Sequence, residues 1–130
     1  MRIAPDLFDA IVEHARRDAP DECCGMVAVR DGAAVFVREA ENVEHSPFRF
    51  NVHPLQLLHF VTEAEEAGHG MAIYHSHTRS EPYPSQTDIR FAADWPGVEW
   101  LIVGLQNGDA EVRCYRIDSG NVTEVPVERD

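Results

Sequence analysis

The chain predicts an α/β domain in which a mixed β-sheet is flanked by helices. Helical patterns with a 3.6-residue period fall between short runs rich in β-branched and aromatic residues. No internal repeat or linker divides the 130 residues, so one domain covering 1–130 is expected. The hydrophobic share of 44% is ordinary for a chain that buries a core.

Pro5 to Arg17 reads as a helix, with Leu7, Ile11, Val12 and Ala15 on one stripe and Pro20 closing the region. Cys24 to Val29 is a short apolar strand, Asp31-Gly32 a hairpin turn, and Ala34 to Arg38 the returning strand. Residues 40–47 are polar and irregular. Phe48-Arg49-Phe50-Asn51-Val52 alternates and predicts a short strand. His53-Pro54 opens a second helix with Leu55, Leu58, Val61 and Ala64 as its stripe, ending before Gly68. Met71-Ala72-Ile73-Tyr74 leads a strand into His75-Ser76-His77, and the prolines Pro82 and Pro84 mark a loop. A helix runs from Ser85 to about Asp94. Val98 to Gly104 predicts a buried strand, Asn107-Gly108 a hairpin, Glu111 to Ile117 its return, and Val122 to Val127 a last strand.

Charge excludes some functions. The net charge is −12, from 23 acidic and 11 basic residues, and every cation is arginine. Nucleic-acid backbones require clustered cations, so no nucleic-acid partner is expected. No apolar run approaches the roughly 18–20 residues of a membrane span. The N-terminus lacks a signal-peptide pattern, which predicts a cytoplasmic protein without membrane association. Cys23, Cys24 and Cys114 form no CxxC and read as buried reduced thiols.

The chemistry concentrates in His75-Ser76-His77 followed by Ser85-Gln86-Thr87-Asp88. Two histidines one residue apart on a strand share a face, with Cα atoms roughly 6.5–7 Å apart, so both imidazoles can reach one ion. Asp88, returned by the next loop, would be a third ligand and leave a fourth position for water. Taken alone, Ser85-x-x-Asp88 reads more simply as a helix-capping arrangement. A metal-bound water needs a base, and the best-placed candidate is Glu22, between the first helix and the first strand. On local sequence alone, Asp21 and Glu22 read more simply as solvated loop acids. A zinc deaminase would need His-x-Glu and a PCxxC element, and neither is present.

The set Glu22, His75-Ser76-His77 and Ser85-x-x-Asp88 resembles the JAMM (MPN+, Mov34) zinc metalloproteases, element by element and in order. The resemblance implies one Zn²⁺ per chain, with a catalytic water, bound by His75, His77 and Asp88. It implies Glu22 as general acid/base and Ser85 as a donor to the oxyanion. The fold it implies is a mixed sheet flanked by helices, related to the cytidine deaminase core. Nearly the whole chain is similar to an actinobacterial subgroup, the Mec-type peptidases. Strings such as Ile73-Tyr74-His75-Ser76-His77-Thr78 and Tyr83-Pro84-Ser85, with Thr87-Asp88, carry that likeness. Thr78 stands where many family members have proline.

The subgroup implies hydrolysis of the amide between the Gly-Gly C-terminus of a ubiquitin-like sulfur-carrier protein and cysteine, a step in cysteine biosynthesis. Alternatives are a deconjugating isopeptidase, a peptidase processing a ubiquitin-like precursor, and a non-catalytic scaffold of the same fold. Arg79 is a candidate for binding the carboxylate of the departing cysteine, and Tyr83 for touching substrate. A homodimer is compatible with the sequence. The remaining histidines, His14, His45, His53, His59 and His69, read as surface or helix residues.

Overall fold

The computed structural model describes residues 1–130. The elements, in order, are β1 (Arg2–Ile3), α1 (Pro5–Asp18), β2 (Cys24–Arg30), β3 (Ala33–Ala40), α2 (Pro54–Glu66), β4 (Gly70–His77), α3 (Gln86–Ala92), β5 (Glu99–Gly104), β6 (Glu111–Asp118), β7 (Asn121–Val125) and β8 (Glu128–Arg129). One eight-stranded mixed sheet runs β7-β6-β5-β4-β2-β3-β1-β8. β4 lies at its middle, antiparallel to β2 and parallel to β5. Only Pro126 and Val127 separate β7 from β8, yet these strands stand at opposite ends of the order. Three Cα steps span at most about 11 Å. The sheet must therefore curl until its two ends meet.

Each face of the sheet buries its own apolar cluster. On one face Ile11 and Ala15 of α1 pack with Val27, Ala72, Tyr74, Leu101, Val103 and Cys114, joined by Met1 and Ile3 from the N-terminal end. On the other, Phe60 and Ala64 of α2 and Ala92 of α3 pack with Met26, Ile73, Trp100 and Ile102. The strand period of two assigns the faces: Ala72, Tyr74 and Ser76 look toward α1, whereas Ile73, His75 and His77 look toward α2 and α3.

Turn chemistry explains the hairpins. Asp31 and Gly32 both have positive φ (52° and 77°), the geometry a tight two-residue turn needs between β2 and β3. The same device joins β6 to β7 at Ser119 and Gly120 (φ 52° and 81°), a turn the sequence reading passed over. Asn107-Gly108, read as a hairpin turn, lies in a wider connection between Gly104 and Glu111, with only Gly108 at positive φ. Helix α2 is capped by His53, whose Nδ1 accepts the Leu55 N–H at 3.2 Å.

The strand expected over Phe48–Val52 is not formed; the segment makes a single antiparallel bridge, Asn42 to Val52. The reason is local. The Asn42 side chain, 6% exposed, takes the hydrogen bonds a neighbouring strand would have made. Its Nδ2 donates to the Arg49 and Glu22 carbonyls, and its Oδ1 accepts from the Asn51 and Glu44 N–H groups. With all four capacities of the amide used, the loop is fixed without a ladder. The alternation seen in sequence holds as burial only over residues 50–52, where Phe50 and Val52 are buried and Asn51 is exposed; Phe48, on the same parity, is 70% exposed.

Candidate metal centre

The C-terminal end of β4 brings the motif together. His75 pairs with Cys24 of β2 and Ile102 of β5, and His77 with Gly104 of β5, so both histidines are fixed by ladders. Ser76 points to the opposite face, where its Oγ accepts the Cys23 N–H at 2.8 Å. That bond clamps the start of β2, and with it Glu22, to the histidine strand.

Three donor atoms form a nearly equilateral triangle. His75 Nε2 and His77 Nε2 are 3.2 Å apart, and Asp88 Oδ2 is 3.1 Å from each. An ion at about 2.0–2.1 Å from three atoms so spaced would see ligand–ion–ligand angles of about 100°, near tetrahedral. All three residues are buried. The donor set therefore fits a zinc-sized cation with N and O ligands. The His77 ring is oriented by its other nitrogen, which lies 2.7 Å from the Glu81 carbonyl oxygen and donates to it when Nε2 is the free atom. His75 lacks such a partner at Nδ1.

Asp88 is presented by the helix cap. Ser85 is the N-cap of α3: its Oγ accepts the Asp88 N–H at 3.1 Å, while the Ser85 N–H donates to Asp88 Oδ2 at 2.9 Å. This reciprocal capping box aims the oxygen nearest the histidines. The cap reading and the ligand reading of Ser85-x-x-Asp88 thus coexist, and the Ser85 hydroxyl proton is left free to donate elsewhere.

Glu22 is the second carboxylate. It is 5% exposed, and a ligand atom of Glu22 and one of each histidine lie within 4.8 Å of one another. Its backbone is held on both sides, the N–H donating to the Ser46 carbonyl and the C=O accepting from Asn42 Nδ2. Its side chain is bonded to neither imidazole, and the buried Oε1 has no partner. Glu22 is thus also within reach of an ion held at the histidines; what separates the two carboxylates is that Asp88 is hydrogen-bonded to both imidazoles and Glu22 to neither.

Electrostatics sorts them too. Burial pushes the Glu22 carboxyl up to about 8; the charge of His77 opposes this and that of Asp88 adds to it. Burial acts on Asp88 in the same sense but is overcome, because the charge and hydrogen bond of His75, the hydrogen bond of His77 and the Ser85 N–H hold its carboxyl well below the usual range. Burial also lowers the imidazole pKa of His75, against the opposing charge and hydrogen bond of Asp88, and so favours the neutral form that binds a metal.

Two clefts flank this point. On the Glu22 side, about 260 Å³ is lined by Asp18, Asp21, Glu22, Glu41, Asn42 and His45, with no apolar residue. On the other side, about 540 Å³ lies against Pro82, Tyr83, Gly104 and Tyr115. Tyr83 is 53% exposed there, edge-on to Tyr115. Arg79 stacks over Phe48, 5.4 Å from the ring centroid. It sits in the loop that Thr78 ties to the Pro20 carbonyl, near Glu22. Sequence reading missed Asn42 and Phe50, the latter stacked on His75 at 4.2 Å. It also placed His14 without its role: a buried ring 2.6 Å from the Tyr74 hydroxyl. The three cysteines are free and buried, as expected.

Comparison with known proteins agrees with this picture. Residues 4–118 match the family model of prokaryotic homologs of the JAB domain. The chain is 40% identical over 131 aligned residues to a CysO-cysteine peptidase of Mycobacterium tuberculosis, covering 96% of this chain and 88% of the relative. It is 34% identical over 110 residues to a desampylase of Haloferax volcanii, covering 78% of each. Among solved structures, protein DSY2949 from Desulfitobacterium hafniense superposes with a TM-score of 0.84 at 27% identity, over 100% of this chain and 93% of that one. A curled mixed sheet carrying a three-donor site at its centre, and a family match spanning all but the chain ends, lead to one assignment: the chain belongs to the JAB/JAMM (MPN) family, among its prokaryotic members.

Proposed function

We propose that the chain is a zinc metallopeptidase that hydrolyses the amide joining the C-terminal Gly-Gly of a ubiquitin-like sulfur-carrier protein to cysteine, releasing cysteine. The observation that carries this reading is the triangle of His75 Nε2, His77 Nε2 and Asp88 Oδ2 with the unpartnered Glu22 carboxylate beside it. The 40% identity to a CysO-cysteine peptidase supports the substrate class. Free buried thiols fit a reducing compartment, the cytoplasm, and no helix is long and apolar enough to cross a membrane.

His75, His77 and Asp88 would hold the zinc, which when bound polarises a carbonyl and lowers the pKa of water. Glu22 takes the proton of the attacking water and returns it to the departing amine. A carboxyl near 8 is matched to proton exchange around neutral pH, and a dication nearby draws it lower still. Ser85 Oγ, already accepting the Asp88 N–H, donates its own proton to the developing oxyanion.

The leaving group departs on the Glu22 side, where the cleft is acidic. A free cysteine carboxylate needs a cation there. Ion pairs engage Arg17, Arg38, Arg49, Arg113 and Arg116; among the remaining arginines, Arg79 is on the loop that Thr78 ties to Pro20, two residues from Glu22, and is the candidate for it. Tyr83, exposed on the opposite cleft, is assigned to contact the carrier. A second reading, deconjugation of an isopeptide, is favoured by the desampylase likeness and by the same acidic cleft, which suits a leaving lysine without any added cation.

Mass spectrometry of zinc-loaded protein acting on a carrier ending in Gly-Gly-Cys and on a carrier joined to a lysine side chain decides between them. Cleavage of the first is expected. Cleavage of the second alone would replace this reading. A purified protein holding less than a few tenths of a zinc per chain, and inactive after zinc is added, would make the chain a scaffold.

A further inference from the structure

We propose that Phe50 is a positioning residue for metal binding: stacked on His75, it sets the plane of an imidazole that no hydrogen bond orients. The inference rests on reading His75, His77 and Asp88 as metal ligands. The two histidines are held by different means. His77 Nδ1 is tied to the Glu81 carbonyl at 2.7 Å. His75 Nδ1 is buried and has no hydrogen-bond partner, although the residue is 0% exposed. A metal-binding imidazole normally donates its second N–H to a carbonyl or carboxylate, which fixes the ring. At His75 an aromatic face takes that place.

The Phe50 ring lies 4.2 Å from the His75 ring, centroid to centroid, with an interplanar angle of 20°. It is backed by Phe91, edge-on at 5.5 Å, and Phe91 is in turn edge-on to Trp100 at 5.6 Å. Phe50 comes from a loop rather than from the sheet. That loop is held by Asn42, whose amide binds Arg49 and Asn51 on either side of Phe50 and also the Glu22 carbonyl. One buried side chain therefore fixes both the wall of the histidine and the backbone of the neighbouring carboxylate. Rotation of the His75 ring away from the donor triangle would require Phe50 to leave a packed position, which close packing opposes.

The test is zinc affinity, measured by chelator competition with zinc ion alone, on wild type, Phe50→Leu, Phe50→Tyr and Phe60→Leu, with the Tm of each metal-free protein. Phe50→Leu is expected to weaken zinc binding about 10–100-fold, and Phe50→Tyr, which keeps the aromatic face, to restore most of it. Phe60→Leu removes packing from the same core, against Phe36 and not against Phe50 or His75, and is expected to lower Tm with no matching loss of affinity. Cobalt(II) gives a second readout, since its visible absorption reports ligand geometry and is expected to change in Phe50→Leu. Unchanged zinc affinity in Phe50→Leu would overturn the proposal. So would an equal loss in Phe60→Leu, which would assign the effect to packing in general. If Phe50→Leu does not fold, Phe50→Met carries the same comparison. A wild type that binds no zinc would instead refute the metal centre itself.

Discussion

Replacing Glu22 by glutamine separates what this residue contributes to stability from what it contributes to chemistry. The carboxyl sits at about 8 against an ordinary 4.5, with burial as the main cause. A raised pKa means that the folded chain holds the proton more tightly than the unfolded chain. The favourable contribution is present below about 4.5 and is lost as pH rises through about 8. Between pH 5 and 8 the loss runs near 1.4 kcal/mol per pH unit, about 3–4 kcal/mol in all. For a domain of this length 1 kcal/mol corresponds to about 3–5 °C, so the metal-free wild type should fall by about 10 °C or more relative to Glu22→Gln over that range. Glutamine keeps the size and does not titrate, and every other ionisable group is common to both proteins and cancels to first order. Thermal melts of both metal-free proteins at half-unit steps from pH 5 to 8.5 measure the difference. Zinc should shrink it, because a nearby dication favours the ionised carboxylate. Activity should meanwhile fall about 10²–10⁴-fold, the usual contribution of a positioned proton-transfer group. A Tm difference that stays constant across the pH range would refute the account of Glu22 as a buried, desolvated carboxyl. Undiminished activity would remove it as the proton shuttle.

Substitutions at three further positions probe the rest of the site. Ser85→Ala should cost about 0.5–2 kcal/mol through the lost cap and about 10²–10³-fold in kcat through the lost oxyanion donor. Ser85→Asp, which caps but cannot donate, should recover the Tm and not the rate; recovery of both would refute the donor role. Gly104→Ala places a Cβ 2.8 Å from Pro82 Cδ, and because Pro82 is a rigid ring the loop holding Glu81 must shift. A loss of about 1–3 kcal/mol and weaker zinc binding through His77 are expected, read by melts and chelator competition; unchanged zinc affinity would show that the Glu81 carbonyl does not tune His77. Arg79→Ala should slow cleavage of a carrier ending in cysteine more than one ending in the neutral cysteine amide; equal slowing would show that Arg79 does not read the carboxylate.

The ligand candidates were legible because each rests on a short-range rule. A strand period of two puts His75 and His77 on one face, and a capping box puts Asp88 in the first turn of a helix. Glu22 was not legible from its neighbourhood. It acquires meaning only through contacts made at long separation, among them the Cys23 N–H on Ser76 and the Asn42 amide on its carbonyl. Asn42 and Phe50 were lost for the same reason: no periodicity marks a side chain that replaces a β-ladder, or a ring that covers a histidine. β1 and β8 are two residues each, too short for alternation to register, yet with the N-terminal end they close the curl of the sheet.

Two carboxylates within one site have been driven apart by their surroundings. Asp88 is buried, yet its oxygen meets two imidazoles and a helix N-terminal N–H, and those contacts outweigh desolvation and keep it ionised. Glu22 is buried to the same degree but meets no donor at Oε1, so desolvation wins and the proton stays until a cation or a reacting water draws it off. In the roles proposed, a ligand already ionised binds metal without first giving up a proton, whereas a shuttle has to be able to hold and release a proton near neutral pH. Exchanging the two environments would give a ligand that resists ionisation and a base too weak to take a proton. The proposed division of roles thus follows from which carboxylate receives the hydrogen bonds: Asp88 through the helix cap at Ser85, and Glu22, on a backbone held by Asn42, through none at Oε1.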